Sequence, residues 1–167
     1  GRGGLAPMRL LIAAAGRWKT GGKGKGQIGP ERALFEHYAG RIAFALELRE
    51  IGEKKKLKPQ ALKKREGELL LAQVPDGAVV VALDEAGKTL SSAAFAEKIG
   101  RWRDDGVKDV AFIIGGADGL DGAVKKRADL VIGFGSQTWP HLLVRGLLAE
   151  QIYRAECILS GHPYHRD

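Results

Sequence analysis

Three apolar runs in the second half of the chain limit the fold most: AVVVAL at 78–83, VAFII at 110–114 and LVIGF at 130–134. They show no polar–apolar alternation, and each is too short to form a buried helix. A strand with no polar face has to be covered on both sides, as in a parallel sheet clad by helices. Two earlier segments also read as strands. RLLIAAA at 9–15 is apolar up to Gly16, and Phe44, Leu46 and Leu48 alternate with Ala45, Glu47 and Arg49. Helices are predicted between the strands: from Pro30 to about Gly40, from Pro59 onward, from a Ser91 or Ser92 cap to about Asp104, and over about 122–128. The last begins after Pro140, with apolar residues at 142, 143, 144, 147, 148, 152 and 153 forming one broad face. Strand and helix alternate throughout, so the expected architecture is a single-domain parallel-sheet α/β fold over 8–167. Residues 1–7, ahead of Met8, read as a leader or cloning scar.

In such a sheet ligands bind beyond the carboxyl ends of the strands. Three of those ends stand out: Leu83-Asp84-Glu85, then GGADG at 115–119, then GFGSQTW at 133–139. Glycine lets the backbone turn away tightly and leaves main-chain N–H and C=O groups within reach of a ligand. The chemistry these tips can support is narrowed by what the sequence lacks. Gly115-Gly116 and Gly133-x-Gly135 do not continue into a Gly-x-Gly-x-x-Gly, and the Gly- and Lys-rich 17–29 has no Walker spacing. Neither a His/Cys cluster with zinc spacing nor a Gly-x-Ser-x-Gly elbow occurs. The residues alone therefore define a backbone-lined small-molecule pocket, with no metal expected.

Charge points to a partner. Of the 167 residues, 1–70 hold 16 Lys and Arg against 7 Asp and Glu, while the rest hold 11 against 13, for a net +7. Excess positive charge gathered in one part of a chain suits a polyanion, through counterion release; a solvated basic face is the plainer reading. The basic candidates for RNA are the 17–29 segment and Lys54, Lys55 and Lys56. No apolar stretch is long enough to span a membrane, and the lone Cys157 suits a reducing, cytoplasmic setting.

The segments FIIGGADGL (112–120), TWPHLLVRGLLAEQIYRA (138–155) and HPYHR (162–166) closely resemble the RlmH family. These are SPOUT-class, trefoil-knotted methyltransferases of the large ribosomal RNA. The resemblance covers residues 8–167 and weakens over 16–60. It implies S-adenosylmethionine as cofactor, a homodimer, and methylation of N3 of a pseudouridine in 23S rRNA of assembled ribosomes. It also implies a last helix threaded through a loop, and cofactor contacts at Leu83, Gly115, Phe134, Gly135, Ser136, Gln137, Thr138 and Trp139. Those positions fall on the three strand tips picked out above.

N3 of the acceptor base carries a proton that must leave at or before attack. By resemblance the candidates to assist are Tyr164, His165 and Arg166, with His165 as base and Arg166 holding phosphate or developing charge. Tyr164 has an alternative role as a stacking platform. Arg145 and His162 are candidate substrate contacts. Plainer readings stand beside these: a solvated tail, a core Trp139, a His141 that merely starts a helix, an Asp118 serving its turn, and a simple Glu150–Arg154 ion pair. Two rival functions share the fold, a non-catalytic RNA-binding assembly factor and a knotted tRNA methyltransferase.

Overall fold

The computed structural model describes residues 7–19 and 28–166. Five parallel strands, β1 (Arg9–Ala15), β2 (Ala45–Ile51), β3 (Val79–Thr89), β4 (Asp109–Ile114) and β5 (Leu130–Gly133), form one sheet in the order β2-β1-β4-β3-β5. Five helices connect or follow them: α1 (Pro30–Ala39), α2 (Pro59–Leu71), α3 (Ser92–Asp104), α4 (Gly122–Arg127) and α5 (His141–Ser160). The period-two geometry of a strand divides the core into two layers. Leu10, Ile12, Ala14, Val81, Phe112 and Ile114 join Phe35, Phe95, Ile99 and Ile152 of α1, α3 and α5. Leu11, Ala13, Val80, Ala82 and Ile113 join Leu70 of α2 and Val124 of α4 on the other face. Where both faces are covered, in β1, β4 and the first half of β3, the strand reads as an unbroken apolar run, whereas the edge strand β2 alternates. Each such side chain contributes about 1.5–3 kcal/mol on burial.

The helix boundaries follow from local chemistry. Pro30 and Pro59 open α1 and α2, where no N–H is needed. The Ser91 hydroxyl accepts the Ala94 N–H and starts α3, and the Asp121 carboxylate accepts the Ala123 N–H and starts α4. Gly161, in the left-handed region, ends α5.

The structure departs from the sequence reading at β3, which was expected to stop at 83–84 and runs to Thr89. Leu83 pairs with Ile132, the chain bulges, and Lys88 and Thr89 then return to Ile132 and Gly133. The approach is so close that a Cβ on Gly87 would lie 2.6 Å from the Ile132 carbonyl carbon, and one on Gly133 would lie 2.5 Å from the Asp84 carbonyl oxygen. Only glycine fits this crossing. Beyond this close crossing of β3 and β5 the chain runs into α5, which settles against α1 and α3. Helix α5 is covered further round than its one broad apolar face: of its 20 residues only Ser160 is exposed. A helix laid between two others on a sheet needs apolar residues nearly all round.

Candidate active site

Because the strands are parallel, their carboxyl ends share one edge of the sheet. At β3, β4 and β5 this edge holds a cavity of about 450 Å³, within the range of small-molecule sites. Seven of the eight expected cofactor residues line it: Leu83, Gly115, Phe134, Gly135, Gln137, Thr138 and Trp139. Ser136 is exposed in the same loop. Leu83, Ile114, Ile132 and Val144 supply apolar wall, and Asp84, Glu85 and Asp118 supply carboxylates.

Local contacts fix the three tips. The Gly119 N–H bonds the Gly116 carbonyl at 3.0 Å, folding the 115–119 turn back so tightly that a Cβ on Gly115 would meet the Gly119 carbonyl carbon at 2.6 Å. The Thr138 hydroxyl bonds Glu85 at 3.0 Å, tying the β5–α5 loop to the β3 tip. Trp139 is not core: it is 39% exposed, and its indole N–H reaches the Phe134 carbonyl at 3.2 Å.

Sequence reasoning missed part of the wall. Lys63 of α2 lines the cavity, as do Lys125, 3.4 Å from Asp84, and His141. No motif marks these; the sheet order brings them in. His141 starts α5, as expected of a residue after Pro140. Burial, then the neighbouring charges of Arg145 and Lys19, push its imidazole below its ordinary value, so it is neutral at physiological pH. Glu66 sits against the same turn, with Oε2 3.1 Å from where a Gly116 Cβ would be. Burial, then the Asp118 carboxylate, push its carboxyl above the usual carboxylate range.

The C-terminal residues form a second cluster, braced by α5. Glu150 and Arg154 make the expected ion pair at 2.6 Å. The Tyr164 hydroxyl donates to Glu150 at 3.0 Å, and its ring lies 4.8 Å from the Arg154 guanidinium carbon. Burial, then hydrogen bonds to Tyr38 and Glu150, hold the Tyr164 phenol well above its ordinary range, so it stays protonated. The Arg154 guanidinium is 3.1 Å from His165 Nδ1. A guanidinium can only donate, so Nδ1 accepts and the ring proton sits on Nε2. His162 and Arg166 are exposed. None of Tyr164, His165 and Arg166 is among the residues lining the cavity of this chain.

Two substrate expectations fare differently. Lys54, Lys55 and Lys56 are exposed in the loop after β2, on the edge that holds the cavity. Arg145 is corrected: it is fully buried and committed to internal partners, with Glu50 at 2.6 Å and the Gly16 carbonyl at 3.0 Å. A side chain enclosed this way does not meet a substrate. Residues 20–27 of the basic 17–29 segment lie outside the described residues.

A parallel sheet in the order β2-β1-β4-β3-β5, with a glycine-lined cavity at three neighbouring strand tips, defines an α/β protein built to hold a small molecule against main chain. The chain belongs to the SPOUT methyltransferase family, whose model, described as "Predicted SPOUT methyltransferase", matches residues 18–165. Two relatives are the ribosomal RNA large subunit methyltransferases H of Rhodospirillum centenum and Paramagnetospirillum magneticum. Each is 55% identical over 159 residues, spanning 95% of this chain and 99% of the relative. Among solved structures, a probable methylase family protein from Haemophilus influenzae Rd KW20 shares the fold. Its TM-score is 0.54 at 11% identity, over 98% of this chain and 72% of that one.

Proposed function

We propose that this protein methylates N3 of a pseudouridine in 23S rRNA of assembled ribosomes, with S-adenosylmethionine as donor and as a homodimer. One observation carries the reading: the cavity, the exposed Arg17 and Lys19 after β1 and the exposed Lys54, Lys55 and Lys56 after β2 share a single sheet edge, in a chain 55% identical to large-subunit rRNA methyltransferases.

The cavity fits the cofactor. Leu83, Ile114 and Ile132 form an apolar slot for a flat base, main chain at 115–119 and 134–138 offers hydrogen bonds, and Asp84, Glu85 and Asp118 balance a positive charge. The cofactor supplies a methyl group on a sulfonium sulfur, which an in-line nucleophile displaces. The protein's work is then to hold donor and acceptor in line and to ease loss of the N3 proton. Tyr164, its one hydroxyl proton given to Glu150, offers its ring as a stacking platform. His165 presents its Nε2–H, which suits stabilising the anion left on the base better than taking its proton. Arg166 meets phosphate or developing charge, and His162 lies beside it. Because these residues do not line the cavity of their own chain, a second copy is the source of the tail that completes each site. The cytoplasm is the matching setting.

The test presents intact ribosomes, naked 23S rRNA and tRNA side by side with labelled cofactor. Transfer to ribosomes, mapping to N3 of a pseudouridine, is expected. Cofactor binding with transfer only to tRNA, or no transfer at all, would sink the proposal in favour of the rival functions.

A further inference from the structure

Arg145 has more partners than a packing residue needs. Besides Glu50 and the Gly16 carbonyl, its guanidinium carbon lies 4.4 Å over the Trp18 ring, and Glu50 accepts the Trp18 backbone N–H at 2.9 Å. Trp18 packs in turn on Phe35 of α1, with ring centroids 5.8 Å apart. Arg145 and Glu50 thus grip the first residues of the basic segment after β1, Gly16 and Trp18, between the flanking Arg17 and Lys19. Arg145 lies one turn into α5, and the first turn of that helix presents His141 and Val144 to the cavity. The grip is costly to build. Arg145 is 0% exposed, and its Nε has no hydrogen-bond partner among the described residues. Arginine is the one residue able to donate to a carboxylate and a carbonyl while stacking on an indole.

From this we infer that Arg145 and Glu50 are positioning residues: they lock residues 16–19, at the root of the β1–α1 connection, to the helix that walls the cofactor cavity, so that RNA phosphate met by the exposed Arg17 and Lys19 is presented at a fixed distance from the methyl donor. The inference rests on the proposed function and deepens it, since neither residue touches cofactor or base. A mere packing role would lower stability and disturb the cavity as much as the segment; a positioning role separates them.

Glu50→Gln and Arg145→Lys keep most of the volume and weaken the grip. Three readouts are taken: calorimetric cofactor affinity, steady-state KM for ribosomes against kcat, and the rate of trypsin cleavage after Arg17 and Lys19. Each variant is expected to keep cofactor affinity within about twofold and to be cut faster at those two sites. The ribosome KM should rise roughly tenfold, the loss expected for one charge-assisted hydrogen bond, and by more than kcat falls. Equal losses in cofactor affinity and ribosome KM would overturn the inference. So would faster cleavage with unchanged KM, or no change in cleavage. Should Arg145→Lys fail to fold, Glu50→Gln alone decides. Failure of the proposed function shows instead in the wild type, as absent transfer to ribosomes.

Discussion

Arg145 shows how a residue's role depends on where the chain closes around it. On a helix with apolar neighbours, one arginine beside an RNA site invites a substrate role, and nothing in the periodicity says that Glu50, 95 positions earlier, will meet it. Breaking such a buried pair from one side leaves the other charge unpaired. Arg145→Met is therefore expected to cost about 3–5 kcal/mol in denaturant unfolding, far more than Arg32→Met at the exposed Arg32–Glu36 pair. His141 gives a pH signature. Its folded value lies below the ordinary 6.5, so on acidification the unfolded chain takes up a proton before the native one does. Stability is then full above that value and falls as pH drops through the window beneath it. Thermal unfolding between about pH 7 and pH 5 should show a shallower decline for His141→Gln than for the wild type; identical slopes would show that His141 is not responsible.

At the scale of elements, most of the fold was legible. The buried strands announced themselves because both their faces are covered, and the helices because Pro30, Pro59, Ser91 and Asp121 mark their starts. The three glycine-rich tips could be picked out because main chain that binds a ligand must be free of side chains. What stayed hidden was pairing between distant segments. The return of Lys88 and Thr89 to β5, the approach of Lys63 and Lys125 to the cavity, and the burial of α5 between α1 and α3 depend on sheet order, which no local window encodes. On the proposed function, that order also separates two tasks along one edge, with Arg17, Lys19, Lys54, Lys55 and Lys56 beyond β1 and β2 and the cavity at β4, β3 and β5. Changing Lys54, Lys55 and Lys56 together to Glu should therefore weaken ribosome binding by an order of magnitude or more at low salt and leave cofactor affinity unaltered. Parallel binding curves for ribosome and cofactor would check it, and equal loss of both would contradict the separation.

For the whole molecule, the separation of the 162–166 tail from its own cavity makes a strong statement about assembly. If each site takes its tail from a partner copy, two differently crippled subunits can rescue each other. A subunit with Gly135→Trp, which fills open space on the cavity wall, keeps a sound tail. A subunit with Arg166→Ala keeps a sound cavity. Co-refolded in equal amounts, the pair should regain roughly a quarter of wild-type activity, since half the dimers are mixed and each mixed dimer has one complete site. Mixtures as inactive as their parents would place the tail in its own subunit. The close crossing of β3 and β5 adds a constraint of its own. Gly133 is both the point where the two strands nearly touch and the start of the loop that walls the cavity, so the pocket exists only once those strands have closed. A ligand seated there would span both sides of the closure and should act as a clasp upon it.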